Sequence, residues 1–289
     1  MRRGVLTTLL ILAGVALGTA TAAETAVEPA SSTRRLRIVS LNPSLTEILL
    51  SLDAADSLVG VDDYSARQQP SVAELPRVGG LFSPNLEAIV ALEPDVVVVV
   101  PAAQQRDLGE RLKELGIRVV SLPNHRLEEV LTSITELGAL VDRIEAAAAR
   151  VAVIRRAVNE SRSATSDAPH PRTVMVIQRD PLYVVGAGSY LHELLDVAGA
   201  RNLAAGFSEA YPKVGLEWLL AAAPDVILDA SPDPVQAEAY WSRWPSLPAV
   251  GANRIVVLPA SAWRPGPFLE ESLQLLADAL RPTQTPVAP

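Results

Sequence analysis

Hydrophobic residues in this chain fall in short dense runs divided by polar breaks, and the runs alternate between two characters. Leu36–Leu41, Leu58–Val61, Val96–Val100 and Ile117–Leu122 are rich in β-branched residues. The five consecutive valines at 96–100 predict a strand covered on both faces, as in a parallel sheet. Between these runs the spacing turns helical. Ser44 stands three residues before Glu47, a capping-box spacing that opens a helix through Ile48–Leu50. Asn85 opens another (Leu86, Ile89, Val90, Leu92), and Arg106–Leu115 reads as a helix stopped by Gly116. Asp62–Pro76 reads as a polar loop. Strand and helix in this rhythm predict an α/β fold.

The longest uninterrupted segment, Ala139–Ala168, holds no glycine or proline, although the chain has 16 and 23 of them. Val141, Ile144, Ala148, Val151, Ile154 and Val158 lay one apolar stripe along it, with charged residues on its other faces. It reads either as a surface helix of one domain or as a strut between two lobes. After a polar break at Ser163–Pro171 the first pattern returns. Thr173–Ile177 is a strand, Tyr190–Val197 and Leu216–Ala222 are helices, Val226–Leu228 and Ile255–Leu258 are strands, and Leu269–Leu280 is an amphipathic helix. Leu86-Glu87 and Pro94-Asp95-Val96 recur as Leu216-Glu217 and Pro224-Asp225-Val226 at one constant offset. Two pairs matched at one offset point to two lobes built alike, with the helix as strut.

Length and composition fit that division. The chain has 289 residues, long for one core and comfortable for two lobes of about 110 residues. Arg2 and Arg3, the apolar run Val5–Leu17 and the small residues at 20–23 read as a cleavable signal peptide over 1–23. Residues 24–35 form a small-residue lead-in, 36–138 the N-terminal lobe, 139–168 the connecting helix, 171–281 the C-terminal lobe and 282–289 a tail. The chain contains no cysteine, so neither disulfides nor a lipid anchor is available, and the expected location is a periplasm. A net charge of −8 argues against nucleic acid and anionic membrane as partners.

The segments Ile38–Glu47, Val59–Ser65, Val78–Gly80, Pro84–Glu87, Pro94–Asp95, Tyr211–Glu217 and Arg264–Pro267 resemble those of bacterial periplasmic substrate-binding proteins. That family serves ABC importers of cobalamin, haem and ferric siderophores, and the likeness is greatest to its cobalamin-binding branch. The resemblance covers nearly all of Arg35–Arg281. It implies two Rossmann-like α/β lobes joined by a single long helix, the ligand lying in the cleft between them, and little closure on binding.

On that resemblance Tyr64, just past a strand, packs against a bound macrocycle; read locally, it covers its own lobe. Phe82 and Tyr211 stand where cobalamin binders present tryptophan, and both remain open to a core reading. Arg264 matches a family arginine that bonds polar ligand groups, with Trp263 beside it as cleft wall or core. The family's frequent second arginine is Phe268 here, which lowers the case for a strongly anionic ligand. Arg179 and Tyr183, past the second half's first strand, either add polar contacts or are simply solvated. Glu87 and Glu217 sit in first helical turns, where a carboxylate meets the positive helix end. The resemblance assigns them to docking on two permease subunits.

Enzymatic readings find little support. There is no G-x-S-x-G, no P-loop and no cysteine nucleophile, and His125, His170 and His192 lack zinc-ligand spacing. Gly186-Ala187-Gly188 begins like a dinucleotide fingerprint, but Leu191 replaces the third glycine, and the stretch reads as a tight turn. The expectation is a monomeric, non-enzymatic binding protein that delivers cobalamin, or another corrinoid, to an ABC importer. It needs no cofactor or metal site of its own. The alternative is a ferric siderophore or haem carrier of the same class.

Overall fold

The computed structural model describes residues 35–101, 106–166, 168–259 and 263–281. The expected signal peptide, the lead-in up to residue 34 and the tail 282–289 lie outside them. The first half opens with β1 (Ile38–Ser40), α1 (Pro43–Ser51), β2 (Leu58–Val61) and α2 (Asp63–Gln68). A hairpin of β3 (Gly79–Gly80) and β4 (Ser83–Pro84) follows, then α3 (Leu86–Ala91), β5 (Val96–Val99), α4 (Arg106–Glu114) and β6 (Arg118–Ser121). The sheet runs β2-β1-β5-β6, all parallel. The valines of β5 are buried on both faces. Val96 and Val98 join the core beneath α1, whereas Val97 and Val99 pack with Leu86 and Ile89 of α3 and Leu112 of α4.

Two local expectations change. The helix after β1 is capped by Asn42, whose Oδ1 accepts from Ser44 N at 2.9 Å, so Ser44 lies inside the first turn. Pro43 explains the shift, because proline suits the first helical position and lacks the N–H that a cap would satisfy. The stretch Asp62–Pro76 is not all loop: Asp62 caps the six-residue α2, accepting from Tyr64 N (2.8 Å) and Ser65 N (3.1 Å).

The connecting region is a helical hairpin. α5 (Leu127–Leu140) is a helix that the apolar pattern does not predict, and the long helix α6 spans Ile144–Thr165 instead of starting at Ala139. The chain turns at Asp142, whose φ of 57° is the left-handed conformation usually left to glycine. A Cβ on Gly138 would stand 2.3 Å from that of Ala147, so this glycine lets α5 and α6 approach. At 1.5 Å per residue the 22 residues of α6 span about 33 Å. Its buried positions are Ala147, Ile154 and Val158, whereas Ile144 is 61% exposed, so the stripe is narrower than expected. Beneath α6 one continuous apolar cluster includes Val96 and Val98 of the first sheet and Met175, Val226 and Leu228 of the second half.

The second half contains β7 (Arg172–Gln178), β8 (Tyr183–Val184), α7 (Tyr190–Val197), β9 (Arg201–Asn202), α8 (Leu216–Ala222), β10 (Val226–Asp229), α9 (Ala237–Trp241), α10 (Pro248–Gly251), β11 (Ile255–Val257) and α11 (Leu269–Leu280). β9, β7, β10 and β11 pair in parallel in that order and repeat the first sheet, and β8 adds antiparallel to the carboxyl end of β7. The sequence repeat is a structural repeat. Arg37 N donates to Asp95 Oδ2 (2.8 Å) and its guanidinium to Leu92 O (2.7 Å). Arg172 N donates likewise to Asp225 Oδ2 (3.0 Å) and its guanidinium to Ala222 O (2.5 Å). In each lobe one arginine thus ties the first strand to the helix and Pro-Asp turn that feed its neighbour. The fold is two Rossmann-like α/β lobes with α6 as the covalent link.

Candidate functional site

In parallel α/β sheets the turns leaving the carboxyl ends of the strands face the ligand crevice. Here those turns converge on a cleft of about 580 Å³ between the lobes. From the first lobe come Asn42–Ser44 after β1, Tyr64 and Gln68 after β2, Val100 after β5 and Asn124-His125 after β6, with Leu81-Phe82 from the β3–β4 hairpin. From the second come Ser189-Tyr190 at the start of α7, Ala210-Tyr211 after β9 and Trp263–Pro265 before α11.

Each aromatic is held by its backbone. Tyr64 rides on the α2 turn capped by Asp62, and Thr46 Oγ1 bonds Ser40 Oγ (2.8 Å) and Ser65 Oγ (2.9 Å), locking α2 to α1 and β1. Its ring is 43% exposed, with the Arg67 guanidinium 4.7 Å from its centroid. Phe82 is 66% exposed at the hairpin tip. Gly79 at the hairpin's base has φ of 97°, and a Cβ there would stand 2.8 Å from Ser83 O.

Tyr211 is placed by the glycines of Gly186-Ala187-Gly188. Ala187 and Gly188 form the expected turn before α7, and neither glycine adopts positive φ. Added Cβ atoms would stand 2.2 Å from Glu209 O and 2.3 Å from Ser208 O, so these glycines exist for close backbone approach. The 207–211 loop lies on them, with Ala187 N donating to Phe207 O and Gly186 N to Ala210 O. Ser189 caps α7 and bonds the Tyr211 hydroxyl at 3.4 Å. Burial raises the pKa of Tyr211, partly offset by that bond. Tyr190 is fully buried and donates to Trp263 O. Burial pushes its pKa well up, Tyr211 adds to this and Arg264 opposes it. Both phenols are therefore neutral at ordinary pH. Arg264 Nη1 lies 3.3 Å from Glu47 Oε2 on α1.

Five of the expected ligand-facing residues, Tyr64, Phe82, Tyr211, Trp263 and Arg264, line this one cleft. Arg179 and Tyr183 do not. Arg179 is buried against Asp229 (Nε to Oδ2, 3.5 Å) and donates to Asp233 O, so its charge is met inside the second lobe. Tyr183, on β8, pairs with Gln178 of β7 and bridges to Lys213. Glu87 and Glu217 are exposed in the first turns of the equivalent helices α3 and α8. Asn124, His125, Ser189 and Tyr190 were not expected at the cleft. Their position just after a parallel strand, or at a helix start facing it, was the available signal. A larger groove of about 720 Å³ beside α6 and α11 has no Phe, Tyr or Trp among its described lining residues.

Known proteins share this fold. The sequence model of the family described as periplasmic binding protein matches residues 38–262. The vitamin B12-binding protein of Vibrio cholerae is 26% identical over 251 residues, 86% of this chain and 90% of that protein. The crystal structure of the periplasmic vitamin B12 binding protein of Vibrio cholerae superposes with a TM-score of 0.76 at 25% identity, covering 85% of this chain and 96% of that one. A periplasmic heme binding protein from Pseudomonas aeruginosa superposes with a TM-score of 0.74 at 27% identity, covering 88% and 95%.

Proposed function

This chain belongs to the periplasmic binding protein family, a family of transport proteins and not of enzymes, and from that premise we propose that it captures a corrinoid, cobalamin or a close relative, for an ABC importer. It does so as a monomer in a periplasm, after loss of residues 1–23. The observation that carries the reading is the set of exposed rings. Tyr64 and Phe82 from one lobe and Tyr211 from the other face a single cleft. Leaving rings this exposed is explained when a flat apolar ligand covers them. A corrinoid brings its own cobalt ligands, so the protein needs apolar walls and a few neutral donors, which the amides of Asn42, Gln68 and Asn124 supply. It needs no resident cofactor.

Haem carriage is the second reading, favoured by tyrosines at the cleft and by haem-binding relatives of similar fold. Iron ligation calls for a phenolate, and burial disfavours that form at Tyr211. Delivery rests on Glu87 and Glu217, one exposed carboxylate on each lobe, meeting cationic groups on a two-subunit permease. Spectral titration with cyanocobalamin, dicyanocobinamide, haemin and a ferric siderophore tests the choice of ligand. The corrinoids should bind with a Kd below about 1 μM. Tight haemin binding with no response to either corrinoid would replace this reading by the second.

A further inference from the structure

The charge of the cleft is set from outside its lining. Among the described lining residues Arg264 is the sole member of the Lys, Arg, Asp and Glu set. Arg264 is already engaged by Glu47, and the two side chains are only 18% and 20% exposed. Glu47 is itself held in place. Gln69 Nε2 donates to its Oε1 at 3.5 Å, and Gly266 packs on the carboxylate so closely that a Cβ would stand 2.9 Å from Oε2.

Resting on the corrinoid reading above, we propose that Glu47 is a specificity-determining residue: by neutralising Arg264 it makes the cleft accept macrocycles whose side chains end in amides and reject those ending in carboxylates. A partly buried arginine without a partner would attract any ligand carboxylate. With Glu47 against it, an incoming carboxylate meets a fixed like charge beside the guanidinium and gives up hydration without gaining an ion pair. An amide loses less water and can accept from an Arg264 nitrogen other than the Nη1 that meets Glu47. The residue acts through Arg264 and is a positioning group, not a ligand contact.

The test uses cyanocobalamin and its monocarboxylic acid, in which one propionamide is hydrolysed to propionate. Wild-type protein should prefer the amide by about tenfold or more, the scale of one charge-assisted hydrogen bond. Glu47→Gln should abolish or invert that preference, and the acid should then raise its melting temperature more than cyanocobalamin does. Arg264→Gln, which leaves Glu47 without its partner, should widen the preference for the amide beyond the wild-type value. A wild-type ratio retained by folded Glu47→Gln overturns the proposal, as does a narrowed ratio in Arg264→Gln should Glu47→Gln fail to fold. If wild type binds neither corrinoid, the function proposed above falls by itself. The same proteins are then titrated with haemin and haemin dimethyl ester, where the charge rule requires wild type to favour the ester and Glu47→Gln to lose that bias. Equal bias in both proteins overturns it independently.

Discussion

Replacing Phe82 by alanine separates a ring kept for the ligand from a ring kept for the fold. Phe82 is 66% exposed, so of the roughly 150–250 Å² an aromatic side chain can bury, roughly 100–165 Å² awaits cover. A flat ligand lying on one ring face would take about half of that, contributing about 1–2 kcal/mol at roughly 25 cal/mol per Å². Phe82→Ala should therefore weaken cyanocobalamin binding by roughly five- to thirtyfold. Stability without ligand should change by no more than about 0.5 kcal/mol, as for other exposed positions. Phe82→Trp should tighten binding by enlarging the wall. Calorimetric titration and thermal melts on the same preparations read both quantities. Unchanged affinity, or a fall in melting temperature large enough to explain weaker binding, would refute the reasoning.

Gly188→Ala should push the 207–211 loop off its seat and displace Tyr211, because the new Cβ would stand 2.3 Å from Ser208 O; titration should show at least about a tenfold loss of corrinoid affinity. Glu87→Ala with Glu217→Ala should abolish capture by permease-containing vesicles while solution affinity for the ligand stays at the wild-type value, and each single change should give an intermediate defect. Wild-type docking should weaken as salt is raised. Above pH 10 the unfolded chain releases tyrosine protons that folded Tyr190 and Tyr211 retain, since both have pKa values raised above 10.0. Stability should therefore hold below that pH and fall as pH rises beyond it, and Tyr211→Phe should make the fall shallower in a series of melts.

Much of the fold was legible because local signals agreed with each other. Tyr190–Val197, Leu216–Ala222 and Leu269–Leu280 were read at their observed bounds, each apolar stripe ending where a cap or break was visible. The repeat of Leu-Glu and Pro-Asp was legible because each lobe uses the same turn to feed the same central strand. The break between α5 and α6 was not, because the residue taking the left-handed conformation is Asp142 and not a glycine. α5 itself carries Gly138, whose role is visible only once Ala147 is seen against it. At the site, the aromatic positions followed from family resemblance and strand ends. Arg179 looked like a cleft residue by the same rule. Asp229, fifty residues on, claims it, and sequence spacing does not reveal such a long-range partner. Glu47 was hidden for the same reason, its partner Arg264 lying 217 residues away.

A crystal structure of the protein grown with cyanocobalamin would locate the corrin ring. The macrocycle should lie in the inter-lobe cleft between Tyr64 and Phe82 on one side and Tyr211 on the other, an amide-bearing edge toward Arg264, with the Glu47–Arg264 contact intact. A corrinoid seated in the groove beside α6 and α11, or bound with all three rings still facing solvent, would contradict this placement.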